Sequence, residues 1–142
     1  MDLRQLTESL WVSPQIDIAD VETLAQSGFR SIINNRPDEE VDPELRDAVM
    51  AQTAARAGLD YIHLPYVPGL LTPELVADFA AALDRLPGPV LAYCRSGTRS
   101  CNLWALAQAG RLPADQIIAR GAAAGYDLRQ HEPLLRAAEA GR

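Results

Sequence analysis

A chain of 142 residues, 48% of them hydrophobic, has the size of one ordinary domain and can bury a core without disulfide or metal staples, so one domain over residues 1–142 is expected. A net charge of -6 sets the molecule as a whole against nucleic acid and anionic membranes, and no apolar run is long enough to cross a bilayer. Two cysteines, Cys94 and Cys101, are too few for a secreted framework, and MDLRQLTESL lacks a secretory start, so a cytoplasmic protein with free thiols is the expectation.

In chain order, Ser9 to Ser13 has the composition of a short strand, and Asp17 then caps a helix from Ile18 to Ser27 that Gly28 ends. Phe29 to Asn34 is a second β-rich run, broken by Arg36-Pro37-Asp38. Asp42 and Pro43 open a helix expected to reach Gly58. Tyr61 to Leu64 reads as a third strand. After the Pro- and Gly-bearing loop Pro65 to Leu71, Thr72-Pro73 starts a helix that ends near Leu86. Val90 to Tyr93 is a short apolar strand suited to the middle of a sheet buried on both faces, and a helix follows as far as Ala109. Two or three short helices through Ile117, Leu128 and Leu134 complete the chain. Strands alternating with helices predict a three-layer α/β fold: a mostly parallel sheet of about four to five strands with helices on both faces.

The chemistry concentrates at Cys94-Arg95-Ser96-Gly97-Thr98-Arg99-Ser100. In open α/β sheets ligands bind beyond the carboxyl ends of the strands, and Cys94 is the first residue past such an end. A loop that leads into a helix N-terminus aims several backbone N–H groups at one point, with the helix dipole behind them. Gly97 lets the chain curl, Ser96, Thr98 and Ser100 offer hydroxyls, and Arg95 and Arg99 add positive charge, with Arg99 expected to be the one that turns inward. These donors stabilise a thiolate, so Cys94 is read as an activated nucleophile over an anion cradle rather than as a buried structural cysteine.

Cys94 to Ser100 resembles the active loops of cysteine-dependent tyrosine or dual-specificity phosphatases and of rhodanese sulfurtransferases. IINNRPDEE, GLDYIHLPY and PVLAYCRSGTRSCNLWALA together resemble the bacterial phosphatase-like domain family called beta-lactamase hydrolase-like. That resemblance covers most of the chain and implies a dual-specificity-phosphatase-like fold. In that family the domain stands alone or precedes a metallo-β-lactamase-fold domain linked to sulfur oxidation, which implies a sulfur-oxidising partner enzyme.

Phosphatases of this type separate Cys and Arg by five residues, whereas four lie between Cys94 and Arg99, and Ser100 falls where the phosphatase Arg would stand. The shorter loop resembles rhodaneses, whose cysteine carries a persulfide. Phosphoester cleavage also calls for a proton donor, and the loop Tyr66 to Leu71 has no Asp or Glu. Asp38 is the best substitute, with Arg36 beside it as a pairing or pocket residue. Loop length therefore favours a sulfurtransferase working through a Cys94 persulfide on a sulfur-donor substrate. The alternatives are a phosphatase acting on a phosphorylated substrate through a phosphocysteine, and a module that binds a small anion without turnover.

Cys101, three residues before Trp104, reads as core packing rather than as a resolving thiol. His63 and His131 have no clustered partners and make no metal site, and no cofactor is expected. Asn34 and Asn35 line the pocket or serve the Pro turn. Trp11 and Trp104 read as core or pocket wall, and Arg136, Glu139 and Arg142 as a solvated face.

Overall fold

The computed structural model describes residues 1–141, so Arg142 lies outside the described residues. The central strand of its sheet is β5 (Val90–Tyr93), paired in parallel with β2 (Leu10–Ser13) on one side and β3 (Ser31–Asn34) on the other. Beyond β3 lies β4 (Asp60–His63), also parallel. Beyond β2 lies β1 (Arg4–Gln5), a two-residue antiparallel edge that the sequence did not announce. The order is β1-β2-β5-β3-β4.

All four residues of β5 are buried, because both faces of the sheet are covered. Leu91 and Tyr93 point into a core with Val21, Leu24 and Ile32, roofed by α1 (Ile18–Gln26) and α2 (Asp47–Arg56). Val90 and Ala92 point the other way, towards Phe79 of α3 (Pro73–Arg85) and Leu103 and Trp104 of α4 (Thr98–Ala107). On that face α5 (Ala114–Ala123) and α6 (Glu132–Ala140) add Ile117 and Leu135. The alternation along the strand puts the next residue, Cys94, at the sheet's carboxyl end, between the strand and α4. Among the described residues no helix is long and apolar enough to cross a membrane.

The helix starts show how local chemistry sets the elements. Asp17 and Asp20 cap α1 reciprocally, each side chain taking the other's backbone N–H at 3.0 Å. Thr72 accepts from Leu75 N at 3.1 Å to open α3. The second helix departs from expectation. Asp42 makes no side-chain cap; Pro43–Leu45 is a separate 3₁₀ turn, and extended backbone at Arg46 breaks the run. The α-helix begins only at Asp47, whose N–H goes to Asp38 Oδ1 at 2.9 Å, and it ends at Arg56 instead of Gly58. A distant carboxylate outcompetes the adjacent one because the chain reversal after β3 carries Asp38 to the helix end.

The turn from β5 into α4 depends on Gly97, which sits at φ +92°, a conformation that L side chains rarely adopt. A Cβ there would overlap the hydroxyl of Tyr126, which donates to Ser96 O at 3.2 Å and so braces the loop from below. Burial holds the Tyr126 phenol protonated, with its pKa pushed up to about 12, so the brace persists across neutral pH. Arg4 stacks over the same ring, 5.3 Å from its centroid, and reaches Ala124 O at 3.0 Å. Gly97→Ala is therefore expected to cost about 2 kcal/mol or more, a fall on the order of 5 °C in Tm. Adding Tyr126→Phe should recover only the part due to the hydroxyl overlap, because the ring carbon and the backbone strain remain; thermal melts of the single and double variants measure both parts.

Candidate functional site

Four segments meet at the carboxyl edge of the sheet: the β2–α1 connection, the β3–α2 connection, the β4–α3 loop and the loop from Cys94 into α4. Cys94 is 0% exposed. Its N–H reaches Ser13 O at 3.4 Å, and Gln15 N donates to Arg95 O at 3.3 Å, so the β2 end pins the loop on one side. Gly97 N–H donates to Cys94 Sγ at 3.1 Å, which aims the loop's turn at the sulfur. No side chain caps α4, and a helix start leaves its first N–H groups without intrahelical carbonyls. Thr98 N–H is met only by Ser96 Oγ, at 3.4 Å, and the result is a cluster of donors beside a sulfur atom, the arrangement that suits an anion.

Arg99, the second residue of α4, is the inward-turning arginine. Nη1 donates to Glu40 Oε1 at 2.6 Å and to Tyr66 O at 2.7 Å, and Nη2 donates to Glu40 Oε2 at 2.9 Å. A guanidinium has five N–H groups; three are used here. Nε–H and the second hydrogen of Nη2 lie together on the edge away from Glu40, which faces the Cys94 sulfur and is the kind of pair that grips two oxygens of one oxyanion. The guanidinium is held charged first by its hydrogen bond to Glu40, against the cost of burial, and then by the Cys94 sulfur beside it.

Glu40 was not singled out by the sequence, and it is the carboxylate that organises the site. Arg99 chiefly, and Arg36 after it, hold its carboxyl below the usual glutamate range. Arg36 does not pair with Asp38. It bonds Gln15 Oε1 and Glu40 O, each at 3.0 Å, and its Nε lies 3.4 Å from Glu40 Oε2. Asp38, expected as a substitute acid, faces the α2 N-terminus.

Among the other loop residues, Arg95 and Ser96 are exposed, and Ser96 Oγ donates to Thr98 Oγ1 at 3.0 Å. Ser100 is buried, and its hydroxyl donates to Asn35 Oδ1 at 2.8 Å, so its side chain ties the helix to the β3 end and leaves only its amide for the cradle. Asn35 also donates to Leu64 O at 2.8 Å, while Asn34 donates to Tyr61 Oη at 3.0 Å and accepts from Arg36 N at 2.9 Å. Cys101 packs in the core beside Trp104, and burial together with Cys94 pushes its thiol up to about 12, which keeps it protonated. His63 sits between Arg36 O at 2.8 Å and Asp47 Oδ2 at 3.4 Å, and His131 lies 3.2 Å from Asn102 Oδ1. Among the described residues no three His, Cys, Asp or Glu side chains gather as a metal site.

Glu40 had one faint signal, its place four residues after Arg36, but three acids follow Pro37 and only the fold selects among them. Tyr66 and Tyr126 act through a carbonyl and a distant hydroxyl, for which sequence offers no motif.

The chain has clear relatives. It is 38% identical over 131 residues to a beta-lactamase hydrolase-like protein of Xylella fastidiosa, and 34% identical over 126 residues to one of Agrobacterium fabrum. These alignments cover 90% and 87% of this chain but only 30% and 29% of the relatives, so the chain spans about a third of their length. Two crystal structures, each described as a "putative phosphatase", superpose on it. The one from Neisseria meningitidis is 38% identical, with a TM-score of 0.81, covering 97% of this chain and 99% of that one. The other, from Shewanella putrefaciens, is 23% identical with a TM-score of 0.72, covering 99% and 90%, and shares the fold. Residues 2–111 match the family described as beta-lactamase hydrolase-like protein, phosphatase-like domain, and the chain belongs to that family.

Proposed function

We propose that this chain is a cysteine-dependent phosphatase of the tyrosine/dual-specificity type, working through a phosphocysteine on Cys94. The observation that carries the reading is the meeting of Cys94 Sγ, the Gly97 N–H that donates to it and the Arg99 guanidinium that Glu40 fixes beside the sulfur. In this mechanism the sulfur attacks phosphorus as a thiolate, the P–O bond to the leaving group breaks, and its electron pair departs with that oxygen. Loop amides and the Arg99 fork hold the equatorial oxygens, whose charge is what the site must stabilise. Water then attacks phosphorus, the P–S bond breaks, and thiolate and inorganic phosphate are released.

Loop length alone favoured sulfur. Phosphate is preferred because the similar solved structures carry the description "putative phosphatase" and because the Arg99 guanidinium is held beside the sulfur despite the shorter spacing. The persulfide reading keeps one observation in its favour, the four-residue separation of Cys94 and Arg99. One experiment separates the two. Turnover of p-nitrophenyl phosphate that vanishes in Cys94→Ser supports phosphate chemistry; gain of one sulfur atom by the intact protein from thiosulfate, seen by mass spectrometry without any such turnover, supports sulfur.

Arg99→Lys keeps the charge but loses the planar fork, so kcat/KM should fall on the order of 100-fold, about 2.7 kcal/mol. Glu40 acts as a positioning residue: Glu40→Gln keeps one acceptor and should lower kcat/KM on the order of tenfold, about 1.4 kcal/mol. The same variant tests stability against pH. Because the folded Glu40 carboxyl lies below its ordinary range, its contribution is present above the unfolded value and is lost as pH falls through the folded one. Wild type should therefore lose Tm more steeply than Glu40→Gln below the ordinary glutamate range, as melts across an acid series would record.

A further inference from the structure

A phosphatase normally protonates the departing oxygen, and that proton must come from a group that holds one at neutral pH and reaches the leaving group. Each element that meets at the site can be checked for such a group. The β2–α1 connection contributes Gln15, and its nearest acid, Asp17, is spent in the α1 cap. From the β3–α2 connection, Asp38 is turned to the N–H of Asp47. Glu40 is fixed by two arginines in its ionised form. Glu39 is exposed.

The β4–α3 loop, Pro65 to Leu71, contains no carboxylic acid; its phenol, Tyr66, is pushed above its ordinary range by burial and is a poorer acid for it, and beyond it Val67 and Leu70 are exposed. Cys94 to Ser100 contains none either. Of the neighbouring non-carboxylate groups, both nitrogens of His63 face Arg36 O and Asp47. The Tyr126 hydroxyl is spent on Ser96 O, which it meets at 3.2 Å in bracing the loop.

Resting on the phosphatase reading, we propose that the site cleaves without a carboxylic acid to protonate the leaving group and therefore selects substrates whose leaving oxygen is a stable anion. The substrate class is a phosphoryl group on a weakly basic oxygen, a phenolate or the phosphate of a phosphoanhydride. Alkyl phosphates of the serine or threonine kind are excluded. In the first step the P–O electron pair leaves with the oxygen as an anion and takes up its proton from solvent after departure. A phenolic oxygen, with a pKa of about 10, bears that charge far better than an aliphatic alkoxide. The Arg99 fork and loop amides act equally on every member of the class, because they hold the transferred group and not the leaving one.

The test is a series of aryl phosphates graded from p-nitrophenol to phenol, with phosphoserine and inorganic pyrophosphate as further arms, at substrate levels that give kcat/KM. Rates are expected to fall on the order of 100-fold or more along the aryl series, the size of the contribution a general acid would otherwise make. Phosphoserine should not turn over, and turnover of pyrophosphate would place anhydrides beside phenols in the class. Asp38→Asn, which retains the cap acceptor, and Glu39→Gln are expected to leave both the slope and the alkaline side of the pH profile unchanged.

A flat series, phosphoserine turnover, or loss of the alkaline limb in either variant would overturn the inference while leaving the phosphatase reading intact. Failure with every substrate, p-nitrophenyl phosphate included, would overturn both.

Discussion

A strand hydrogen-bonded on both sides and covered on both faces has no freedom at its end, and the site depends on that constraint. β5 lies between β2 and β3, so the position of Tyr93 is fixed by two ladders and two cores at once. Cys94 inherits that rigidity through Ser13 O, and the only way onward is a tight reversal at Gly97 into α4. The sulfur, the turn amide and the first turn of the helix are therefore held in register by the sheet and not by the loop. A site on a rigid element needs no rearrangement to aim its donors, which is the property electrostatic stabilisation of a transition state requires.

Charge is arranged around that rigid point in a graded way. The molecule is acidic overall, so an isolated anion cradle would sit in an unfavourable field. Arg36, Glu40 and Arg99 resolve this locally as two cations flanking one carboxylate, which leaves the trio with a net positive charge. Glu40 does not cancel Arg99 so much as orient it. By taking Nη1 and Nη2 from one side, together with Tyr66 O, it leaves Nε–H and the remaining Nη2–H on the edge that faces the Cys94 sulfur. Arg36 in turn is fixed by Gln15, so three chain segments far apart in sequence lock one guanidinium.

What the sequence made legible follows the range of each interaction. The four parallel strands, the Asp17 and Thr72 caps and the curl at Gly97 are local patterns, and they read correctly to within a residue or two. The β1 edge, two residues long, carries no periodicity to detect. The Asp42 cap failed because Asp38, brought close by the reversal after β3, took the amide of Asp47 instead. For the same reason Asp38 turns to the start of α2, while Arg36, two residues before it, turns to Gln15 and Glu40. Glu40, Gln15, Tyr66 and Tyr126 reach the site across sheet and loop, and nothing in their own neighbourhood marks them.

The shortened loop shows why counting residues between nucleophile and arginine is a weak guide to chemistry. Side chains on a helix lean back towards its N-terminus, so an arginine in the first turn reaches over the loop that precedes it. Arg99, second in α4, does this, and its guanidinium lies close enough to the Cys94 sulfur to be influenced by it. A spacing longer by one residue would deliver the charge from the next position of the same turn, where Ser100 instead points to Asn35 and fastens the helix to β3. The reach lost in the loop is thus supplied by the helix, and a guest over the sulfur is met by the Nε–H and Nη2–H groups of Arg99 that Glu40 does not take. Those groups form a two-pronged donor, and a two-pronged donor suits an oxyanion with two oxygens to offer better than a lone sulfur atom.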